Sequence, residues 1–258
     1  MDSQVNTIKF LGTGGARYVV SRQLRYSGGL WCSFQGKNIM VDPGPGTLVR
    51  CFSSRPKLNP EALDAIILTH RHLDHSSDAN IMIEAMTGGR INQKGTLLAP
   101  SDAISCKEPV VFSYLLKSLE KVEILQEGGA YTIGDIEVST PVKHLHSVET
   151  YGLKFILRDK KLSIISDTAF FPELTEYYHS DFLIINVVLY EHPGYSNIEH
   201  LDFENCRTII EQLKPQKAII THFGLTMLRK NPGKLAEQLT RETGVKVISA
   251  YDGMTFNF

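Results

Sequence analysis

The apolar run Ala65-Ile66-Ile67-Leu68 leads through Thr69 into His70-Arg71-His72-Leu73-Asp74-His75, and that junction restricts the chain more than any other segment. A short, Ile-rich run of this kind reads as a buried strand. Side chains alternate along an extended backbone, so His70 and His72 face the same way. Asp74 and His75 fall in the turn and helix start that follow and aim at a second position. One strand end can therefore supply two adjacent cations. Read in isolation, the segment is also a histidine-rich surface loop or a helix start with Asp74 as its cap.

Two further apolar runs end in the same kinds of residue. Leu162-Ser163-Ile164-Ile165 precedes Ser166-Asp167-Thr168-Ala169, and Ala218-Ile219-Ile220-Thr221 precedes His222-Phe223-Gly224. Asp167 at a strand end is placed to bridge two cations; its alternative is an N-cap for a short helix entered through Pro172. His222 taken alone reads more often as a core or helix-capping histidine than as a ligand. His144 and His146 lie before Gly152 and the apolar stretch Leu153-Lys154-Phe155, and strand alternation does not choose between them.

Together these motifs resemble the signature of the metallo-β-lactamase-fold hydrolases, in particular the branch of ribonuclease Z and the cyclic phosphodiesterase of phosphonate degradation. The string His70-x-His72-x-Asp74-His75 carries the resemblance, with Ser166-Asp167-Thr168-Ala169 and Thr221-His222 in support. It begins at the glycine turn Gly12-Thr13-Gly14-Gly15-Ala16 and continues through Val41-Asp42-Pro43-Gly44-Pro45-Gly46, so it covers nearly the whole chain. In this resemblance a histidine six residues before a strand-opening glycine is the third ligand, which favours His146 over His144. It implies an α/β (α+β) fold, a four-layer αββα sandwich. It also implies two divalent metal ions, Zn²⁺ or Mn²⁺, with iron suited to the same donors. His70, His72 and His146 would hold one ion, and Asp74, His75 and His222 the other. Asp167 would bridge them.

The activity implied is metal-assisted hydrolysis by a hydroxide between the ions, whose pKa the cations bring down to roughly 7 in the best zinc sites. Asp74 is expected to orient that water. His200, in Glu199-His200-Leu201-Asp202, resembles the family's non-ligand histidine beside the scissile phosphate and is expected to act as an acid; otherwise it is a helix-start residue packed against Asp202. His192 reads as a loop residue without chemistry, with a place on the border of the substrate pocket as its alternative, and His179 as a surface or core-edge residue. The aromatic loop of residues 190–195 fits a pocket border or a subunit interface.

Composition narrows the substrate. The net charge is −1, and Lys and Arg occur only in short clusters such as Lys160-Lys161. A polynucleotide grip normally needs clustered basic residues. Residues 101–126 read as a compact helical segment and a strand, without the Gly- and Pro-rich arm by which ribonuclease Z holds tRNA. A small or cyclic phosphate ester is therefore expected, and tRNA is not. Lactone or thioester hydrolysis on the same site is the alternative. An alternative of another class is a di-iron redox or oxygen-sensing protein.

The 258 residues suit a single domain. The four cysteines, Cys32, Cys51, Cys106 and Cys206, form no C-x-x-C pair. Met1-Asp2-Ser3-Gln4 does not open a signal peptide, and no apolar segment approaches the roughly 20 residues that span a bilayer. A cytoplasmic protein, with a homo-oligomer allowed, is expected. Strands are predicted over residues 7–11, 30–35, 38–41, 65–68, 96–98, 120–125, 131–133, 137–140, 152–157, 162–166, 181–187, 218–221, 245–248 and 254–256. Helices are predicted over 42–50, 75–86, 203–213 and 232–243.

Overall fold

The structure is a computed structural model that describes residues 5–89, 93–194 and 198–258. The N-terminal tetrapeptide and Tyr195 of the aromatic loop lie outside the described residues. Among the described residues, fourteen strands form two seven-stranded sheets. The first half contributes β1 (Thr7–Phe10), β2 (Leu30–Phe34), β3 (Lys37–Val41), β4 (Ala65–Ile67), β5 (Thr96–Pro100) and β6 (Lys121–Leu125). The second contributes β7 (Gly129–Ile133), β8 (Ile136–Thr140), β9 (Leu153–Leu157), β10 (Lys160–Ile165), β11 (Phe182–Asn186), β12 (Lys217–Thr221) and β13 (Lys246–Ser249). The last strand, β14 (Thr255–Asn257), crosses back to pair antiparallel with β1 and completes the first sheet.

Three apolar seams make the layering. Phe34, Phe155, Ile67 and Ile184 belong to the seam between the sheets, where Phe34 and Phe155 meet edge-on at 5.5 Å. Met40, Ile66, Met82 and Ile83 join the first sheet to its helices. Ile185, Ile220, Ile209 and Leu239 join the second sheet to helices Phe203–Leu213 and Pro232–Thr243. Successive strand residues thus serve opposite seams: Ile66 faces helices while Ile67 faces the other sheet. A strand segment buried on both faces has to be apolar, as β4, residues 182–185 of β11 and residues 218–220 of β12 are. The arrangement is the two-sheet αββα sandwich that the motifs implied.

Two predicted helices are corrected. The helix expected over 42–50 begins only at Thr47 and runs Thr47–Ser53. Pro43 and Pro45 lack backbone donors, and Asp42 adopts a left-handed backbone (φ 51°), so the chain turns before it coils. The helix expected over 75–86 is broken into Leu73–Ser76 and Ala79–Thr87. At the break, Asp78 N–H donates to the Pro43 carbonyl (2.9 Å), while the Asp78 carboxylate accepts from Gly46 N (3.2 Å) and Leu48 N (3.0 Å). One aspartate therefore caps a helix that lies elsewhere in sequence and pins the loop carrying Asp42. Asp78→Ala is expected to cost about 1 kcal/mol, the usual value of a lost cap, measured as a lower urea midpoint with unchanged slope.

Candidate metal centre

All the predicted site residues converge at the C-terminal ends of strands. His70 and His72 follow β4, and Asp74 and His75 lie in helix Leu73–Ser76. His146 stands in the β8–β9 connection, Asp167 follows β10, and His222 follows β12. The donor atoms of His70, His72 and His146 lie within 4.8 Å of one another, as do those of Asp74, His75 and His222. Asp167 sits between the two groups. Its Oδ2 is 3.4 Å from His222 Nε2, 3.5 Å from His75 Nε2 and 4.0 Å from His70 Nε2. His200 Nδ1 is 3.5 Å from the same oxygen.

The hydrogen bonds around the rings determine where their protons are. A carbonyl only accepts, so His146 Nδ1–H donates to Glu199 O (3.0 Å), and in the neutral ring Nε2 presents a lone pair to His72 Nδ1, 3.0 Å away. His75 Nδ1–H donates to Asp42 Oδ2 (2.9 Å), which turns Nε2 toward His222 Nε2 at 3.1 Å. His70 Nε2 is buried without a protein partner. Lone pairs aimed at one another at such distances need a proton or a cation between them. Imidazole and carboxylate donors without thiolate, including an orphaned buried nitrogen, fit divalent metal ions.

Electrostatics divides the site. Burial pushes the carboxyls of Asp74 and Asp167 up, but the His75 and His222 rings outweigh it and hold both below the usual carboxylate range. Burial pushes His75 and His222 down, but Asp167 and its neighbouring carboxylates win, raising His222 to about 9 and His75 well above its ordinary value. Burial and adjacent imidazoles lower His70, and they bring His72 to about 4. Protons thus concentrate where the carboxylates are, and a divalent cation would displace them.

Supporting residues come from both sheets. Asp42 Oδ1 accepts from Thr69 N and Oδ2 from Thr69 Oγ1, each at 2.7 Å, and Thr69 Oγ1 meets Ser166 Oγ at 2.8 Å. This buried chain links the ends of β3, β4 and β10 directly beneath the rings. The role of Asp42 as the partner of His75 was missed from sequence; its signal was a carboxylate at the end of a buried strand. Asn186 was missed too, and its Nδ2 donates to Asp167 Oδ1 (2.8 Å). Glu149 accepts from Ser101 Oγ (2.6 Å) and Tyr151 Oη (2.8 Å), tying the His146 loop to the first sheet.

The competing histidines lie elsewhere. His144 is buried, donating through Nδ1 to the Asp167 carbonyl (3.2 Å) and accepting from Tyr178 Oη (2.8 Å). A Cβ on Gly152 would stand 2.8 Å from His144 Nε2 and 2.4 Å from Tyr178 Oη. His192 donates to Ile198 O in a loop, and His179 is exposed.

The glycine turn braces the second triad. Gly15 N–H donates to Phe223 O (3.1 Å), Phe223 N–H to Thr13 O (2.8 Å), and Ala16 N–H to Asp74 Oδ2 (3.2 Å). A Cβ on Gly15 would lie 2.4 Å from His222 Cδ2. Gly15→Ala is expected to displace the His222 ring at a cost of about 1–3 kcal/mol. Melting with and without Zn²⁺ should show a lower Tm and a smaller metal-induced rise than in the unsubstituted protein.

Comparison with known proteins identifies the family and the fold. A model of the β-lactamase superfamily domain matches residues 37–223. An uncharacterized protein of Methanocaldococcus jannaschii is 31% identical over 256 residues, 96% of this chain and 93% of that protein. The metallo-β-lactamase-fold protein YhfI of Bacillus subtilis superposes with a TM-score of 0.81 at 17% identity, covering 99% of this chain and all (100%) of that one. A diphosphatase from the PhnP family superposes with a TM-score of 0.70 at 20% identity, covering 99% and 98%. The chain belongs to the metallo-β-lactamase superfamily of metal-dependent hydrolases.

Proposed function

We propose that this protein is a dinuclear hydrolase of small or cyclic phosphodiesters. The observation that carries the reading is the position of Asp167 Oδ2, shared between two triads of metal donors with His200 on the same oxygen. In this reading His70, His72 and His146 hold one divalent ion, Asp74, His75 and His222 hold the other, and Asp167 touches both. Zn²⁺ or Mn²⁺ suits these donors, and iron is compatible with them. When bound, such a pair supplies Lewis acidity and a water of lowered pKa.

The protein's own groups supply the rest. Asp42 and the Glu199 carbonyl hold His75 and His146 in the tautomers whose Nε2 atoms are free to ligate. Asp74 is the carboxylate placed to orient an attacking water. His200 is about one-fifth exposed (side chain 21%), so its ring borders both the cluster and solvent. Burial lowers its pKa, and an anionic phosphoryl group beside it would raise the proton affinity again. That suits a group that donates a proton or hydrogen bond to the leaving oxygen as charge develops.

One feature supports a small substrate and another its phosphoryl chemistry. Residues 101–125 form the short helices Ser101–Ile104 and Ser113–Leu116 and the strand β6, with no projecting arm. The structural similarity to a diphosphatase favours phosphoryl over carbonyl chemistry. The cytoplasmic reading rests on the four cysteines, all unpaired and three of them buried.

With Zn²⁺ or Mn²⁺ supplied, the protein is expected to hydrolyse bis(p-nitrophenyl) phosphate. His72→Ala should abolish turnover together with one bound ion. His200→Ala should retain both ions and lose 10²–10⁴-fold in kcat, the usual range for a positioned acid. Two bound ions with no phosphodiester turnover would overturn the substrate assignment in favour of lactones or thioesters. Bound iron with a visible absorption spectrum would favour redox chemistry.

A further inference from the structure

Asn186 is the last residue of β11 and the one polar side chain in Phe182–Asn186. The parallel registers set Ile165 beside Ile185 and Asn186 beside Thr221, so Asn186 stands between the strand ends from which Asp167 and His222 emerge. Its amide Nδ2 donates to Asp167 Oδ1 at 2.8 Å. The other oxygen, Oδ2, carries all the close approaches to His222, His75, His200 and His70.

A carboxylate with both oxygens free can chelate one cation with the pair, or rotate between arrangements. Engaging Oδ1 disfavours both, because the hydrogen bond occupies one of its lone pairs and resists rotation of the group. A neutral amide does this without neutralising the carboxylate, as Lys or Arg would, so the full negative charge stays available. Resting on the metal-centre reading above, we propose that Asn186 is a positioning residue that makes Asp167 a one-oxygen bridge, with Oδ2 alone serving both cation positions. Asn186 is the half-buried end of an otherwise buried apolar strand, and the carboxylate beside it is the group its amide serves.

The test uses the full chain stripped of metal, comparing the unsubstituted protein with Asn186→Ala and Asn186→Leu. The leucine keeps the volume and removes the donor. Zn²⁺ affinity is measured by competition with a chromophoric chelator, exchange coupling by electron paramagnetic resonance of the Mn²⁺-loaded proteins, and metal-free stability by Tm. Both variants are expected to bind Zn²⁺ 10–100-fold more weakly, as losses of ligand-orienting partners typically do. They should also change the coupled Mn²⁺ signal and lower kcat on bis(p-nitrophenyl) phosphate more than they raise KM. The metal-free Tm of the leucine variant should stay near that of the unsubstituted protein. Unsubstituted affinity and coupling in Asn186→Leu would show that only volume matters and would overturn the assignment. Failure of the unsubstituted protein itself to bind two ions would overturn the metal-centre reading and this assignment with it, and is seen before any variant is compared.

Discussion

Four imidazole nitrogens lie within 4.0 Å of one carboxylate oxygen, Asp167 Oδ2. Imidazole lone pairs and carboxylates concentrated in this way repel unless protons or metal cations lie among them. Desolvation adds to the cost, because His70, His75 and Asp167 are almost wholly removed from water. Such a cluster survives only where a rigid frame forces it together and a positive charge compensates it. The rest of the molecule is intelligible as that frame. Two sheets, buried on both faces along strands such as β4, β11 and β12, hold their strand ends at fixed separation, and the donors sit just beyond those ends.

The frame is finished by side chains other than the donors. The Asp42–Thr69–Ser166 chain crosses from one sheet to the other under the rings, and each link is 2.7–2.8 Å long. Asp42 accepts this geometry in a left-handed backbone (φ 51°), as does His222 (φ 60°). Backbone strain of this kind costs of order 1–3 kcal/mol per residue and persists only where the surroundings impose it. Here the surroundings are the glycine turn against His222 and the proline-bounded loop against Asp42. Gly152 plays a comparable part at a distance: its missing side chain is what lets Tyr178 reach His144, and His144 in turn grips the Asp167 carbonyl.

Much of this was legible beforehand. The run from Ala65 to His75 announces a buried strand that feeds a cluster of imidazole and carboxylate donors, because alternation and apolarity are local properties. The strands over 131–133 and 137–140 and the helix over Phe203–Leu213 were legible for the same reason. The two helices that were misplaced depend on a contact between distant segments, Asp78 with the Pro43–Leu48 loop, which no window of sequence contains. Asn186 left a faint local trace, one amide at the end of an apolar strand. Its meaning appears only once Asp167 is beside it.

The sequence by itself determined the kind of chemistry and the kind of scaffold. Histidines and aspartates placed at the ends of apolar strands supply nitrogen and oxygen donors, and strands apolar on both faces demand layers on both sides. Which donors meet was decided by the tertiary structure. Alternation along a strand allows His144 and His146 equally; the connection between β8 and β9 carries His146 to His72 and buries His144 against Tyr178. The pairing of His75 with Asp42 and of Asp167 with Asn186 is likewise set by strand neighbours, not chain neighbours. Local sequence controls the direction in which a side chain leaves its strand. Only the packing of one strand beside another controls what that side chain finds there.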